Sequence, residues 1–82
     1  MQLLRLQGRP PCLLEMYGKS RSATYGDIAN GLLTPPVKIG LRASAWPLHE
    51  IETVIKARVA GKNDDEIREI VTKLVAARKT AA

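Results

Sequence analysis

Phenylalanine is missing from this 82-residue chain, and cysteine, histidine and tryptophan occur once each. A lone Cys12 cannot close an intramolecular disulfide, so the sequence fits a reducing, cytoplasmic compartment and reads Cys12 as a small core residue. A lone His49, without cysteine or carboxylate partners at ligand spacing, gives no zinc set and no Ser–His–Asp arrangement. No catalytic residue, metal or cofactor is therefore expected. Gly18-Lys19-Ser20 looks like the end of a phosphate-binding loop, but such a loop needs glycine where this chain has Leu13. No uncharged stretch approaches the roughly 18 residues of a membrane span. Arg5 and Arg9 interrupt the apolar opening, which is not read as a secretory signal.

What is present is aliphatic and basic. Hydrophobic residues make up 45% of the chain and aromatic residues 4%, so Leu, Ile and Val must fill the interior around Trp46. A chain of this size buries only about 60–65% of its unfolded surface, which allows one domain with a modest core. The net charge is +5. Residues 1–62 hold nine Lys and Arg against four Asp and Glu, whereas residues 63–82 hold four of each. The whole excess thus lies on the first three-quarters of the chain, and basic charge gathered on part of a small domain points to a polyanionic partner. The plain alternative is a basic protein without such a partner.

The order of local signals gives a mostly α fold with one small hairpin. An extended opening offers Leu3, Leu4 and Leu6 to the core. Pro10 and Pro11 suit a helix entrance, and a first helix through Cys12–Met16 ends at Gly18. Ser20 is placed as an N-cap for a second helix, Arg21 to Asn30, that would bury Thr24, Tyr25, Ile28 and Leu32 and close at Gly31. A helix, a short turn containing Gly and a second helix make a helix-turn-helix pattern. Pro35-Pro36 forces an extended path. Val37–Ile39 and Ala43–Trp46, joined by Gly40-Leu41-Arg42, then read as a two-stranded β-hairpin with Arg42 at its tip and Lys38 on a flank.

Pro47 opens a third helix, from about Leu48 to Ala60, with Leu48, Ile51, Val54, Ile55 and Val59 on one side and Gly61 after it. Asn63 and Glu66 form a capping pair for a fourth helix, with Asp64 and Asp65 near its positive end and Arg78 and Lys79 near its negative end. Its stripe of Ile67, Ile70, Val71, Leu74 and Val75 either folds back on the third helix or makes a seam for another protein. Folding back is the expectation, because an isolated helix of this length is marginal in water. Thr80, Ala81 and Ala82 are expected to fray. The domain boundaries are residues 1–62 for the helix-turn-helix and hairpin, and 63–82 for the added helix.

Leu4-Arg5-Leu6, Gly18-Lys19-Ser20-Arg21-Ser22 with Tyr25, Gly31, Pro36-Val37-Lys38-Ile39-Gly40, Arg42 and Trp46 together resemble the AlpA family of small phage and mobile-element regulators. That family is akin to excisionases and to the DNA-binding domain of MerR-like proteins, and the likeness spans roughly residues 3–58. It implies a winged helix-turn-helix with the second helix in the major groove of DNA and the hairpin wing against a neighbouring groove or backbone. It also implies a role as transcription regulator or as recombination directionality factor beside an integrase, with self-association on DNA among the options.

By that likeness the DNA-binding positions are Lys19, Ser20, Arg21, Ser22, Ala23, Tyr25, Gly26, Lys38 and Arg42. Arg21, in the first turn of the second helix, reads a guanine edge or grips a phosphate; its plain alternative is a solvated arginine. Lys19, Ser20 and Ser22 are phosphate donors beside the helix N-terminus, or simply cap it. Tyr25 reads as core with its hydroxyl towards a phosphate. Arg42 suits a narrow minor groove. Where the family tends to a polar residue, a basic one and an apolar one, this chain has Ala23, Gly26 and Asp27. The outward face of the second helix then reads Ser22, Ala23, Gly26, Asp27 and Asn30. Gly26 costs about 1 kcal/mol relative to Ala in a helix, which points to close approach, a kink or drift. A competing reading is an interaction module that binds an integrase or another protein through its last two helices.

Overall fold

The structure is a computed structural model that describes residues 2–80. It is mostly helical: β1 (Leu3–Leu4), α1 (Leu13–Tyr17), α2 (Arg21–Ala29), β2 (Val37–Lys38), β3 (Ser44–Pro47), α3 (Leu48–Val59) and α4 (Asp64–Thr80) follow in order. The expected fraying of Ala81 and Ala82 lies outside the described residues, and α4 continues to Thr80.

The α1–α2 segment forms where the capping chemistry places it. Cys12 caps α1 without a side-chain bond. The N–H groups of Leu13 and Leu14 instead donate to the carbonyls of Arg5 (2.8 Å) and Leu6 (3.0 Å), so the extended opening serves as the cap. Pro10 and Pro11 consequently stand before the helix rather than in its first turn. Gly18 ends α1 with φ 75°, a conformation that costs a residue with a Cβ about 1 kcal/mol or more. The Ser20 side chain then accepts the Ala23 N–H at 3.2 Å and starts α2. α2 closes in a Schellman motif: Gly31, at φ 75°, donates to Ile28, and Leu32 donates to Asp27. That turn directs Leu32 and Leu33 into the core.

The sheet is larger than the sequence suggests. Val37 pairs with Ala45 and Lys38 with Ser44, which is the expected hairpin. On the other side of β3, however, Leu3 pairs with Pro47 and Leu4 with Trp46, giving three antiparallel strands in the order β1-β3-β2. A two-residue strand carries almost no periodic signal, so its pairing is decided by tertiary structure. Leu4 is fully buried by it, while Leu3 on the opposite pleat stays 42% exposed. The Leu48 N–H donates to the Gln2 carbonyl at 2.9 Å, so the residue before β1 supplies an acceptor for the first turn of α3.

One core joins all layers: Leu4, Leu13, Leu33 and Trp46 from the first part of the chain meet Ile51 and Val54 of α3 and Ile67 and Val71 of α4. α4 therefore folds back on α3. Its capping pair is present, with Glu66 N–H donating to the Asn63 side chain (2.9 Å) and Asn63 N–H donating to the Glu66 carboxylate (3.2 Å). Val59, expected on the buried stripe of α3, is 83% exposed; Ala57 and Glu50 are buried instead. Glu50 is fully enclosed and is met by Arg78 from the last turn of α4, whose Nε donates to Oε2 at 2.8 Å and whose Nη2 donates both to Oε1 and to the Pro35 carbonyl. The opposite charges, the two-point geometry and the extra carbonyl all act against the cost of dehydrating the pair. Among the described residues no helix is long and apolar enough to cross a membrane.

Removing one partner of an enclosed ion pair strands the other charge, typically at about 3–5 kcal/mol. Arg78→Ala should lie near the low end of that range, because the Arg78 side chain keeps 23% of its surface. Replacing both partners at once, as Glu50→Leu with Arg78→Met, should recover most of the loss. Urea midpoints of the three proteins decide it; an Arg78→Ala midpoint equal to the parent's would show the pair to be inert.

Candidate nucleic-acid interface

Ion pairing sorts the cations of this chain into two groups. Arg58 binds Asp64, Lys62 binds Glu66, Arg68 binds Asp65, Lys73 binds Glu69 and Arg78 binds Glu50. Most of these pairs are exposed and contribute little stability, but each cancels a positive charge where it sits. Among the described residues, Arg5, Arg9, Arg21, Lys38, Arg42, Lys56 and Lys79 have neither a salt bridge nor a side-chain hydrogen bond and are exposed, and three of them lie on α2 and the hairpin. Arg21 is the first residue of α2, Lys38 ends β2, and Arg42 lies in the loop that closes the hairpin.

The register relates Lys38 to Trp46, and Trp46 touches α2. Lys38 sits opposite Ser44, two residues before Trp46 in β3, so the pleat sends Lys38 out of the sheet face that carries Trp46. The Trp46 ring meets the edge of Tyr25 of α2, with centroids 6.5 Å apart at 69°. Lys38 thus leaves the same sheet face as the ring that Tyr25 of α2 meets. Ile39 N–H donates to the Ala43 carbonyl at 2.9 Å and closes the neck, leaving Gly40, Leu41 and Arg42 as the tip. Tyr25, expected in the core, is 42% exposed and meets Trp46 in a T-shaped contact.

The remaining site residues divide as follows. Ser22 and Ala23 are exposed in the first turn of α2. The Ser20 oxygen is occupied by its capping bond. Lys19 is held by Asp27 at 2.7 Å and lies over the Tyr17 ring, 5.4 Å from its centroid. Asp27, expected on the outward face, instead turns towards α1, where the Tyr17 hydroxyl also donates to it. Sequence reasoning did not find Tyr17. The available signal was an acidic residue on the same helical stripe as Thr24 and Ile28, a position that asks for a partner.

This cluster has a defined electrostatic state. Burial by itself disfavours the Asp27 carboxylate, but the hydrogen bonds from Lys19 and Tyr17 outweigh it and hold the acid below its ordinary 3.8. For Tyr17, burial comes first and the bond to Asp27 second, and both push the phenol well above its ordinary 10.0.

Gly26 is half-buried on α2, yet a Cβ built there would meet nothing within 4 Å. No packing reason inside the molecule therefore accounts for glycine at this position. Among the described residues no three His, Cys, Asp or Glu side chains are placed to hold a metal ion. An open pocket of about 180 Å³ beside Lys62, Glu66, Glu69, Ile70 and Lys73 is lined by side chains that already pair with each other. Family models, curated proteins and solved structures yield no match to this chain.

The pKa directions fix two limbs of a stability profile. A carboxyl depressed in the fold contributes stability above its unfolded value of 3.8 and loses it as pH falls further. A phenol raised in the fold contributes stability below 10.0 and loses it as pH climbs beyond. Melting temperature against pH should drop at both ends, with Asp27→Asn flattening the acid limb and Tyr17→Phe the alkaline one. A variant profile that merely shifts down, without changing shape, would count against the cluster.

The open space at Gly26 gives a separate expectation. Gly26→Ala should raise the stability of the free protein by about 0.5–1 kcal/mol in urea unfolding. Destabilisation would mean that something in the fold does require glycine there.

Proposed function

We propose that this chain is a DNA-binding protein of the winged helix-turn-helix kind. α2 lies in the major groove, and the β2–β3 hairpin acts as a wing against the neighbouring groove or backbone. One observation carries the reading: Arg21, Lys38 and Arg42, the cations of α2 and the hairpin, are exposed and unpaired in a stretch whose one carboxylate, Asp27, is taken by Lys19 and Tyr17, although Arg5, Arg9, Lys56 and Lys79 are unpaired elsewhere. The contact between Tyr25 and Trp46, with the register of Lys38, supports a common face.

In this reading Arg21 meets base edges or a phosphate from the first turn of α2, as recognition helices do. The first backbone N–H groups of α2 have no carbonyl a turn earlier and favour an anion. Ser22 adds a hydroxyl donor. Ala23, Gly26 and the outer edge of Tyr25 make a low surface that lets the helix sit deep. Lys19, turned to Asp27, contributes to the field rather than by direct contact. Lys38 and Arg42 hold phosphates along the wing or enter a narrow minor groove. The reading needs no catalytic group and no cofactor, and it gives a cytoplasmic, nucleoid-associated place for the protein.

The resemblance to AlpA-like regulators extends the proposal to excision of a phage or mobile element as a recombination directionality factor, to transcription regulation, or to both. An integrase encoded beside this chain would favour the first. The competing reading, a module that grips a partner protein through its last two helices, is weaker because Ile67 and Val71 of α4 are already buried in the chain's own core.

Anisotropy of a labelled random-sequence duplex tests the proposal. Affinity should fall with salt at a log–log slope of about −0.9 per phosphate neutralised, hence roughly −4 to −5 for five contacts. Arg21→Ala and Arg42→Ala should each cost about 1 kcal/mol or more of binding, and Lys38→Ala should shallow the slope by about 0.9. Absent or salt-insensitive binding defeats the assignment.

A further inference from the structure

The outermost point of the hairpin is an aliphatic side chain. Leu41 is 97% exposed, the most exposed large apolar residue among those described, and Ile39 at the neck of the loop is 48% exposed. Their exposure is built in: the bond from Ile39 N–H to the Ala43 carbonyl closes the neck and leaves a tip of three residues, with Leu41 at its centre. A side chain held this far from the core gains nothing from folding and leaves its whole apolar surface in water.

The surroundings identify what covers it. From Ile28 to His49 the chain has no acidic residue, and the two charges it does have, Lys38 and Arg42, are the unpaired cations of the hairpin. An apolar point flanked by cations is complementary to a base step lying between phosphates. A protein partner would require an interface of about 1,000 Å², far more than a three-residue tip presents, whereas one inserted side chain is enough to unstack a base step.

We propose that Leu41 is a wedge. The tip enters the minor groove, Arg42 and Lys38 bind on either side of it, and Leu41 presses between two base pairs, partly unstacking them and bending the duplex towards the major groove. The favoured target is a pyrimidine–purine step, TA or CA/TG, which unstacks most easily. This inference rests on the DNA-binding reading above.

The test uses the full chain and a short random-sequence duplex with one central TA step, dye-labelled at both ends and carrying 2-aminopurine beside that step. The parent protein should raise both the end-to-end energy transfer and the 2-aminopurine emission. Because Leu41 makes no contact with the core, Leu41→Ser should melt at the parent's temperature. It should bind within about threefold of the parent, since phosphate contacts dominate affinity, yet lose both optical changes. Arg42→Ala gives the opposite pattern, weaker binding with bending retained once the duplex is saturated. Bending by Leu41→Ser equal to the parent's overturns the wedge, as does parent binding without any bend. Unchanged bending together with altered self-association of Leu41→Ser in sedimentation assigns the tip to a protein contact instead. If the parent fails to bind duplex at low salt, the underlying DNA-binding reading falls, a result distinct from all the others.

Discussion

The arrangement of this small protein depends on Trp46. In a chain without phenylalanine it is the largest side chain available, and it is buried completely. Burying an indole of about 200 Å² is worth up to roughly 5 kcal/mol at 25 cal/mol/Å², a large fraction of what a domain of this size can hold. Its position matters as much as its area. Through its strand it pairs with Leu4, through its Nε1–H it donates to the Thr34 carbonyl at 3.0 Å, and through its ring it meets Tyr25. The opening strand, the loop leading into the hairpin and α2 are therefore fixed to one rigid group. The placement of the hairpin relative to α2 follows from that group.

The legible part of the fold was the part encoded over short distances. Gly18, Ser20, Gly31, Asn63 and Glu66 act within a few residues of themselves, and the helices begin and end accordingly. The two-residue β1 was not legible, because the pairing of Leu4 with Trp46 spans 42 positions and leaves no local pattern. Nor was the enclosed pair. Glu50 falls on the same helical stripe as Val54 and Ala57, and Arg78 on the stripe of Ile67, Val71 and Leu74. A charge on each apolar stripe is the trace of a buried pair, and it becomes readable only when the two helices are known to meet.

The candidate site shows a similar division. The exposure of Arg21, Lys38 and Arg42 follows from their places at a helix start and a hairpin, which local rules supply. The engagement of Lys19 does not, because it depends on Asp27 turning inward to Tyr17. Counting charges along the chain treats all cations alike. The fold instead places carboxylates beside some of them and leaves others unopposed, so its electrostatic surface is more sharply defined than its net charge.

The link from Arg78 to Pro35 bears on how the molecule is assembled during synthesis. It ties the final helix to the root of the hairpin across 43 residues, and the same helix delivers Ile67 and Val71 to the core. A ribosome releases chain from the N-terminus onward, so α1, α2 and the hairpin emerge before α4. Until the last turn of α4 follows, Glu50 lacks its counter-charge and the hairpin its tether. The order of synthesis thus sets the order in which these contacts can form: the hairpin's tether and the counter-charge of Glu50 come only with α4.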